Sequence, residues 1–259
     1  MRSLILMIQF MTRYPVPMAI DFTADHFVRG MKWMPLVGLL VALPAAGGFA
    51  LADWLLNRDL AALAAVILLI GATGGMHLDG LADTADGLFS YRSPERMLAI
   101  MRDSTLGTNG VIAVVLAILL KFLLLHAIAA DGVVPALLVA PVLGRMALVW
   151  HSAPARYARE ESGMGEYVNQ TGWAQAGAAT ALSLVLVGVV LAGAGVRPGA
   201  VLWLTVMLHL PPIALAAGFA AYVGRRLGGI TGDTVGASIE LSELLSLLTS
   251  FLAWKYWLV

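Results

Sequence analysis

The chain has 259 residues, no cysteine and a formal net charge of zero, and 60% of its residues are hydrophobic while only 12% are charged. A soluble domain is typically about half apolar and about a quarter charged, so this composition excludes an ordinary water-soluble domain and indicates an integral membrane protein. The missing cysteine excludes disulfides, thiolate catalysis and cysteine-based metal sites, and the neutral balance argues against a nucleic-acid partner.

The chain begins with a short basic and apolar segment without a small-residue cleavage site, which we interpret as an amphipathic segment at the membrane interface. A spanning helix needs roughly 20 mostly apolar residues. The sequence predicts such helices at 34–55, 60–76, 106–130, 133–151, 173–196, 201–222 and 235–258. The last is the least secure because Glu240 and Glu243 lie in its first half, which leaves a re-entrant or partly buried helix as an alternative. We therefore expect an all-α, polytopic membrane bundle of about seven transmembrane or membrane-embedded helices, in one domain over residues 1–259.

Three polar loops separate these stretches, at 77–105, 154–172 and 224–234. With seven spans, the loops and the N-terminal segment share one side of the membrane. That side carries Arg2, Arg13, Arg29, Lys32, Arg92, Arg96, Arg102, Arg156, Arg159, Arg225 and Arg226. The opposite side carries Arg58, Arg197 and Lys255. Because cytoplasmic loops are enriched in Lys and Arg, we expect the polar loops to face the cytoplasm.

The stretch GGMHLDGLADTADGLF, residues 74–89, places three aspartates directly after the second apolar stretch. Asp79, Asp83 and Asp86 are spaced i, i+4 and i+7, which on a helix gives one face with neighbouring side chains about 5–6 Å apart. Like charges at this spacing repel, and a divalent cation removes the conflict. Mg²⁺ usually binds one or two protein carboxylates together with substrate phosphates. The spacing therefore predicts that Asp79, Asp83 and Asp86 bind Mg²⁺ or Mn²⁺ at a phosphate or diphosphate.

The same aspartates have two other interpretations. One is an ordinary solvated loop, and the other is a proton or cation pathway, where acids inside a membrane are also expected. The glycines around the aspartates count against the solvated loop, because glycine permits close backbone approach to a ligand. His77 is a candidate metal ligand, general base or phosphate contact, and its alternative is a plain hydrogen-bonded histidine at the interface.

The next polar stretch, IMRDSTLGTNG, covers residues 100–110. Arg102 is a candidate partner of a phosphate, and Asp103 is a candidate fourth carboxylate. The glycine-rich end around Asn109 resembles a loop at the start of a helix whose backbone N–H groups bind an anion, and a plain helix N-cap is the alternative. Arg145 lies inside the fourth predicted span, where a buried arginine needs a phosphate or an acid as its partner.

A second glycine-rich stretch, GRRLGGITGDTVGASIELSE, covers residues 224–243. Backbone amides in glycine-rich loops approach phosphates closely, although the Gly-Lys-Ser/Thr order of a P-loop is absent. Asp233 is a candidate to hold a metal or to orient a hydroxyl. Thr231, Gly232 and Thr234 are candidates for substrate contacts. The alternative is a glycine-rich turn capped by the aspartate.

Together these stretches resemble the family of adenosylcobinamide-GDP ribazoletransferases, also called cobalamin synthases. GGMHLDGLADTADGLF resembles the signature of that family, and MRDSTLGTNGVIAVVL and GGITGDTVGASIELSE are similar to its later motifs. QFMTRYPVP and MKWMPLVGLLVAL, near the start of the chain, are similar to its first segments. The resemblance therefore extends from Gln9 to Glu243.

The resemblance implies an enzyme of the last steps of cobalamin biosynthesis, in the bacterial inner membrane with its active site facing the cytoplasm. It implies transfer of the phosphoryl-cobinamide part of adenosylcobinamide-GDP to α-ribazole or α-ribazole 5′-phosphate, with release of GMP and a requirement for Mg²⁺. On this hypothesis Asp79, Asp83 and Asp86 hold Mg²⁺ against the diphosphate, and Asp86, Asp233 or His77 is the general base. The candidate substrate contacts are Arg102, Asp103, Asn109, Arg145, Thr231, Gly232 and Thr234.

Two other functions fit parts of the pattern. A CDP-alcohol phosphotransferase has an analogous Asp/Gly helix, but Asp83 stands where that family has an Ala-Arg pair. A cation-coupled or proton-coupled transporter predicts acids deep in several spans, whereas most acids of this chain lie in the polar loops. The oligomeric state, the number of metal ions and the corrin-binding residues stay open at this stage.

Overall fold

The computed structural model describes residues 1–159 and 164–258, with the backbone only for 164–166. These ranges form helices and contain no β-strand, which confirms the predicted all-α class. The helices are α1 (Arg2–Met11), α2 (Ala24–Gly30), a 3₁₀ helix (Met31–Trp33), α3 (Met34–Leu55), α4 (Arg58–Thr73), α5 (Met76–Leu88), α6 (Pro94–Ile100), α7 (Thr108–Ala127), α8 (Ala130–Ser152), α9 (Met164–Asn169), α10 (Trp173–Gly193), α11 (Pro198–Leu227) and α12 (Gly232–Tyr256).

Within the described ranges, six helical segments are long and apolar enough to cross a membrane, namely Ala24–Leu55, which contains α2 and α3, and α7, α8, α10, α11 and α12. The helices α4 and α5 meet the same test only as a pair, which is bent by 87° at the break between them. The number of spans is therefore six, or seven when the bent pair counts as one span. The chain is an integral membrane protein, as its composition predicts.

The helix α8 forms the centre of the bundle. It packs against α3, α10, α11 and α12, and most of its residues are buried. Helix α3 approaches it closely at Gly38, where a Cβ atom would lie 2.2 Å from the carbonyl oxygen of Pro141. The helices α7 and α10 are buried along much less of their length and therefore face the lipid.

Two glycines turn the chain between α4 and α5. Gly74 and Gly75 have φ angles of 66° and 76°, in the left-handed region that favours glycine. A Cβ atom on Gly74 would also lie 2.2 Å from Nε of Arg13, so the N-terminal segment packs directly over this corner. The turn directs α5 away from α4 and across the N-terminal ends of α12 and α7, outside the six spanning segments.

Two predicted loop boundaries are wrong. The stretch 77–105, predicted as a polar loop, contains α5 and α6, because α5 packs against α12 and α7 and α6 packs against α5 and α11. The predicted loop 224–234 is shorter, because α11 continues to Leu227 and α12 begins at Gly232. The last predicted span is confirmed as one continuous helix, Gly232–Tyr256, and its re-entrant alternative is not observed. The two acids in its first half are paired with buried cations.

Candidate active site

The acid-bearing helix α5 crosses α12 at two glycines. A Cβ atom on Gly80 would lie 2.8 Å from the carbonyl oxygen of Asp233 and 3.3 Å from Cα of Gly236. Small residues at a helix crossing let the two backbones approach closely. This contact brings Asp79, beside Gly80 on α5, close to Asp233 in the first turn of α12.

Asp79 is exposed and Asp83 is partly buried, one turn apart on α5. Among the residues that the structure describes, neither carboxylate makes a hydrogen bond or an ion pair. Burial, followed by the charges of Asp79, Asp233 and Asp86, raises the pKa of Asp83 to about 6. Negative charge therefore accumulates here without a bonded cation from the described part of the chain.

The carboxylates of Asp79 and Asp83 can be compared with the ligands that the predicted Mg²⁺ site requires. In the described residues, no group of three or more His, Asp or Glu side chains has the arrangement to hold a metal ion. The unpaired carboxylates of Asp79 and Asp83 still fit the usual environment of Mg²⁺, which takes one or two protein carboxylates and completes its shell with phosphates and water. The assignment of Mg²⁺ to Asp79, Asp83 and Asp86 stays a prediction.

Asp86 has partners, unlike the two aspartates before it. Its Oδ2 accepts a hydrogen bond from the backbone N–H of Gly107 at 2.8 Å, and its Oδ1 accepts one from Gly110 at 2.9 Å. These N–H groups belong to the start of α7, where the sequence predicted an anion-binding loop. The anion in this structure is the carboxylate of Asp86, which caps α7 from a different helix.

Asp233 is partly buried and is bonded through one oxygen only. Its Oδ2 accepts hydrogen bonds from Nη2 of Arg159 at 2.8 Å and from the hydroxyl of Thr231 at 3.2 Å. The other oxygen, Oδ1, has no hydrogen-bond donor among the described residues. Asp233 is thus oriented by two neighbours and keeps one oxygen available for a ligand.

The neighbours of Asp233 in the sequence divide into buried and exposed residues. Thr231 and Thr234 are fully buried and form the capping box of α12, in which each backbone N–H donates to the hydroxyl of the other residue. His151 contacts the Thr234 hydroxyl at 3.2 Å. Gly232 is exposed. The predicted substrate contacts of Thr231, Gly232 and Thr234 stay predictions, and the structure uses both threonine hydroxyls within the cap.

His77 and Arg145 belong to a buried network behind α5. The Arg145 guanidinium donates to Nδ1 of His77 at 3.2 Å and forms an ion pair with Glu243. Nζ of Lys121 lies 2.7 Å from both Glu240 and Glu243. Two cations and two acids thus neutralise one another inside the bundle. The partner of Arg145 is an acid, which is one of the two partners that the sequence allowed.

The remaining candidates lie around the start of α7. Arg102 and Asp103 are exposed, and Oδ1 of Asp103 accepts a hydrogen bond from the backbone N–H of Thr105 at 2.9 Å. Asn109 is partly buried and borders an apolar cavity between α5, α7, α11 and α12. The predicted contacts of these three residues with substrate stay predictions.

Sequence reasoning gave no role to Lys121 or Arg159, although both contact acids of the site region. A signal for Lys121 was present, because two cations and two acids fall within predicted spans and buried charges in membranes occur in pairs. No comparable signal existed for Arg159, whose contact with Asp233 joins positions 74 residues apart.

The comparisons with known proteins agree with one another. The sequence model of the cobalamin-5-phosphate synthase family matches residues 3–251 of the chain. The chain is 37% identical over 253 residues to the adenosylcobinamide-GDP ribazoletransferase of Caldanaerobacter subterraneus subsp. tengcongensis. The aligned residues cover 96% of this chain and 97% of the relative. It is 38% identical over 249 residues to the protein of that name from Escherichia coli, with 93% and 96% covered. No solved structure matches the chain.

The protein is therefore an integral membrane helical bundle with carboxylates clustered across one end of its helices. The chain belongs to the cobalamin-5-phosphate synthase family. The resemblance seen in the sequence motifs is thereby confirmed, and these matches give no support to a CDP-alcohol phosphotransferase or to a transporter.

Proposed function

We propose that the protein transfers the phosphoryl-cobinamide part of adenosylcobinamide-GDP to α-ribazole or its 5′-phosphate. A ribose hydroxyl of the acceptor attacks the phosphorus next to the cobinamide, and the bond from that phosphorus to the bridging oxygen of the diphosphate breaks. GMP leaves, and the hydroxyl proton passes to a base. The observation that carries this proposal is the match of the family over residues 3–251, together with unpaired carboxylates at one end of the bundle.

Asp79 and Asp83 are the residues that we propose to hold Mg²⁺. Both carry carboxylates without partners among the described residues, and Asp79 is open to solvent. The bound ion supplies positive charge beside the diphosphate. We assign Asp86 mainly to the cap of α7, since both of its oxygens accept backbone hydrogen bonds. These bonds hold the end of α5 at the start of α7 and so fix the helix that carries Asp79 and Asp83.

Asp233 is the general base that we favour over His77 and Asp86. Its Oδ2 is fixed by Arg159 and Thr231, which leaves Oδ1 to accept the proton of a hydroxyl. His77 is a buried residue of α5 and its Nδ1 accepts a hydrogen bond from Arg145, so it is suited to positioning α5. Arg159 balances the charge of Asp233.

For the cellular setting, we propose the bacterial inner membrane with the site facing the cytoplasm. The positive-inside rule supports this orientation, because the end of the bundle with the site is the end with most of the Lys and Arg residues.

A direct assay tests the function. Purified protein in lipid nanodiscs is incubated with adenosylcobinamide-GDP, α-ribazole and Mg²⁺, and the products are separated by chromatography. We expect a cobalamin product and GMP in equal amounts, with loss of both when EDTA removes the metal and recovery when Mg²⁺ is restored. Absence of both products from folded protein with Mg²⁺ would contradict the proposal.

A further inference from the structure

A largely apolar cavity, partly open to the outside, lies directly beside the two aspartates at the crossing of α5 and α12. Its volume is about 210 Å³. Its wall includes the polar residues His77, Asp79, Tyr157 and Asp233, and most of the rest is apolar. The apolar part of the wall includes the large side chains of Phe10, Met11, Phe27, Met31, Met34 and Met76. These side chains come from five different helices, so the cavity exists only in the assembled bundle.

The size of the cavity limits its ligand. Sites for drug-sized ligands usually enclose about 300–1,000 Å³, which exceeds this cavity. A corrin ring with its side chains is larger still and does not fit inside. The cavity is therefore suited to one flat ring system, with the rest of the ligand extending out of it.

The polarity of the wall separates the two ring systems that the reaction brings to the site. Guanine carries hydrogen-bonding atoms around its edge, and burying such atoms without partners is costly. The base of α-ribazole is a bicyclic aromatic ring with two methyl groups and few polar atoms. Methionine adapts to irregular shapes, and its sulfur makes favourable contacts with aromatic rings. The four methionines and two phenylalanines of the wall thus match the base of α-ribazole and not guanine.

We propose that this cavity binds the base of α-ribazole and specifies which base the enzyme accepts. The ring lies among the apolar side chains of the cavity, and the attached ribose lies at the wall formed by Asp79 and Asp233. This places the attacking hydroxyl beside the oxygen of Asp233 that has no bonded partner in the described chain. The inference rests on the proposed function, which it deepens by locating the acceptor substrate.

The test fills the cavity and measures which substrate is affected. Met34 is fully buried at the start of α3, and Met34→Trp replaces its linear side chain with a bulky ring inside the cavity. The matched control is Met207→Trp, a partly buried position on α11 away from this cavity. Each variant in nanodiscs is assayed with α-ribazole and with the riboside of the unmethylated base, and Met34→Phe provides a milder filling.

We expect Met34→Trp to reduce kcat/KM for α-ribazole about tenfold or more relative to the unmethylated riboside, since one methylene in an apolar pocket changes discrimination by about 10–200-fold. The KM for adenosylcobinamide-GDP stays within about twofold, because only binding of the acceptor changes. The ratio of the kcat/KM values for the two ribosides is measured in one preparation, so it does not depend on the fraction of protein that is folded.

Two results would overturn the inference while leaving the proposed function intact. One is wild-type activity with an unchanged preference between the two ribosides in both Met34 variants. The other is an increase in KM for adenosylcobinamide-GDP alone, which would assign the cavity to the donor substrate. Failure of the proposed function looks different, because the wild-type protein itself would then form no cobalamin and no GMP.

Discussion

Two acid-bearing helices of this protein look alike in sequence and differ in the fold. Asp79 and Asp83 lie one turn apart on α5, and Glu240 and Glu243 lie one turn apart on α12. The aspartates have no bonded partner in the described part of the chain. The glutamates are buried and are held by Lys121 and Arg145.

The difference shows that helical spacing alone does not assign a function to paired acids. A buried carboxylate with a cationic partner is neutralised, and removing one member of such a pair is strongly destabilising. A carboxylate without a partner keeps its charge available for a cation from outside. The α12 pair therefore serves the fold, and the α5 pair is the better candidate for chemistry. Four substitutions test this division.

The largest effect is expected at Asp83. Asp83→Asn removes one of the two unpaired carboxylates, and we expect the transferase rate to fall about a thousandfold, as when a major electrostatic contact of a transition state is lost. The amount of folded protein, measured by size-exclusion chromatography in detergent, stays unchanged. Asp131→Asn is the control, since Asp131 is exposed in the first turn of α8. Near-normal activity of Asp83→Asn would remove the α5 pair from the metal site.

The next effect is on stability. Glu243→Gln leaves the cations Lys121 and Arg145 with one acid between them, and we expect the free energy of unfolding to fall by about 3–5 kcal/mol. Thermal unfolding in nanodiscs measures the change. Asp25→Asn is the control, because its ion pair with Arg29 is exposed and surface pairs contribute little. A Glu243→Gln variant with wild-type stability and no activity would show that the α12 acids also act in chemistry.

A smaller effect on rate is expected at Asp233. Asp233→Asn removes the proposed base but keeps the size of the side chain, and we expect kcat to fall about a hundredfold with little change in either KM. Steady-state kinetics with both substrates measures this split. Arg159→Gln is the companion variant, and we expect it to lower kcat less because it only orients Asp233. A change confined to KM would assign Asp233 to substrate binding instead.

The smallest effect separates Asp86 from its neighbours on α5. In Gly110→Ala the new Cβ would lie 2.4 Å from Oδ2 of Asp86 and would disturb the cap of α7. We expect a loss of about 1–3 kcal/mol in stability, the usual cost of an unmade hydrogen bond to a buried or charged group. Gly177→Ala is the control, because a Cβ atom there meets no atom within 4 Å. Equal stability of both variants would argue against the capping role.

Local sequence patterns were enough to predict the class of the protein, most of its helices and its family. The composition indicated a membrane protein, since so few charged residues cannot cover a water-facing surface. Apolar length located the spans, and α3 has the predicted bounds, Met34–Leu55. The spacing of Asp79, Asp83 and Asp86 predicted one helical face because a helix repeats locally every 3.6 residues. These properties depend on neighbours along the chain, which the sequence displays directly.

Which acids have partners depends on long-range packing. Lys121 meets Glu243 across 122 positions, and Asp86 reaches Gly110 across 24, and neither contact follows from local periodicity. The turn at Gly74 and Gly75 decided that α5 crosses the ends of α12 and α7 instead of continuing α4. The cavity beside Asp233 requires side chains from several helices at once. Packing joins residues that are distant in the chain, and it therefore separates the acids that stabilise the bundle from those available to a ligand.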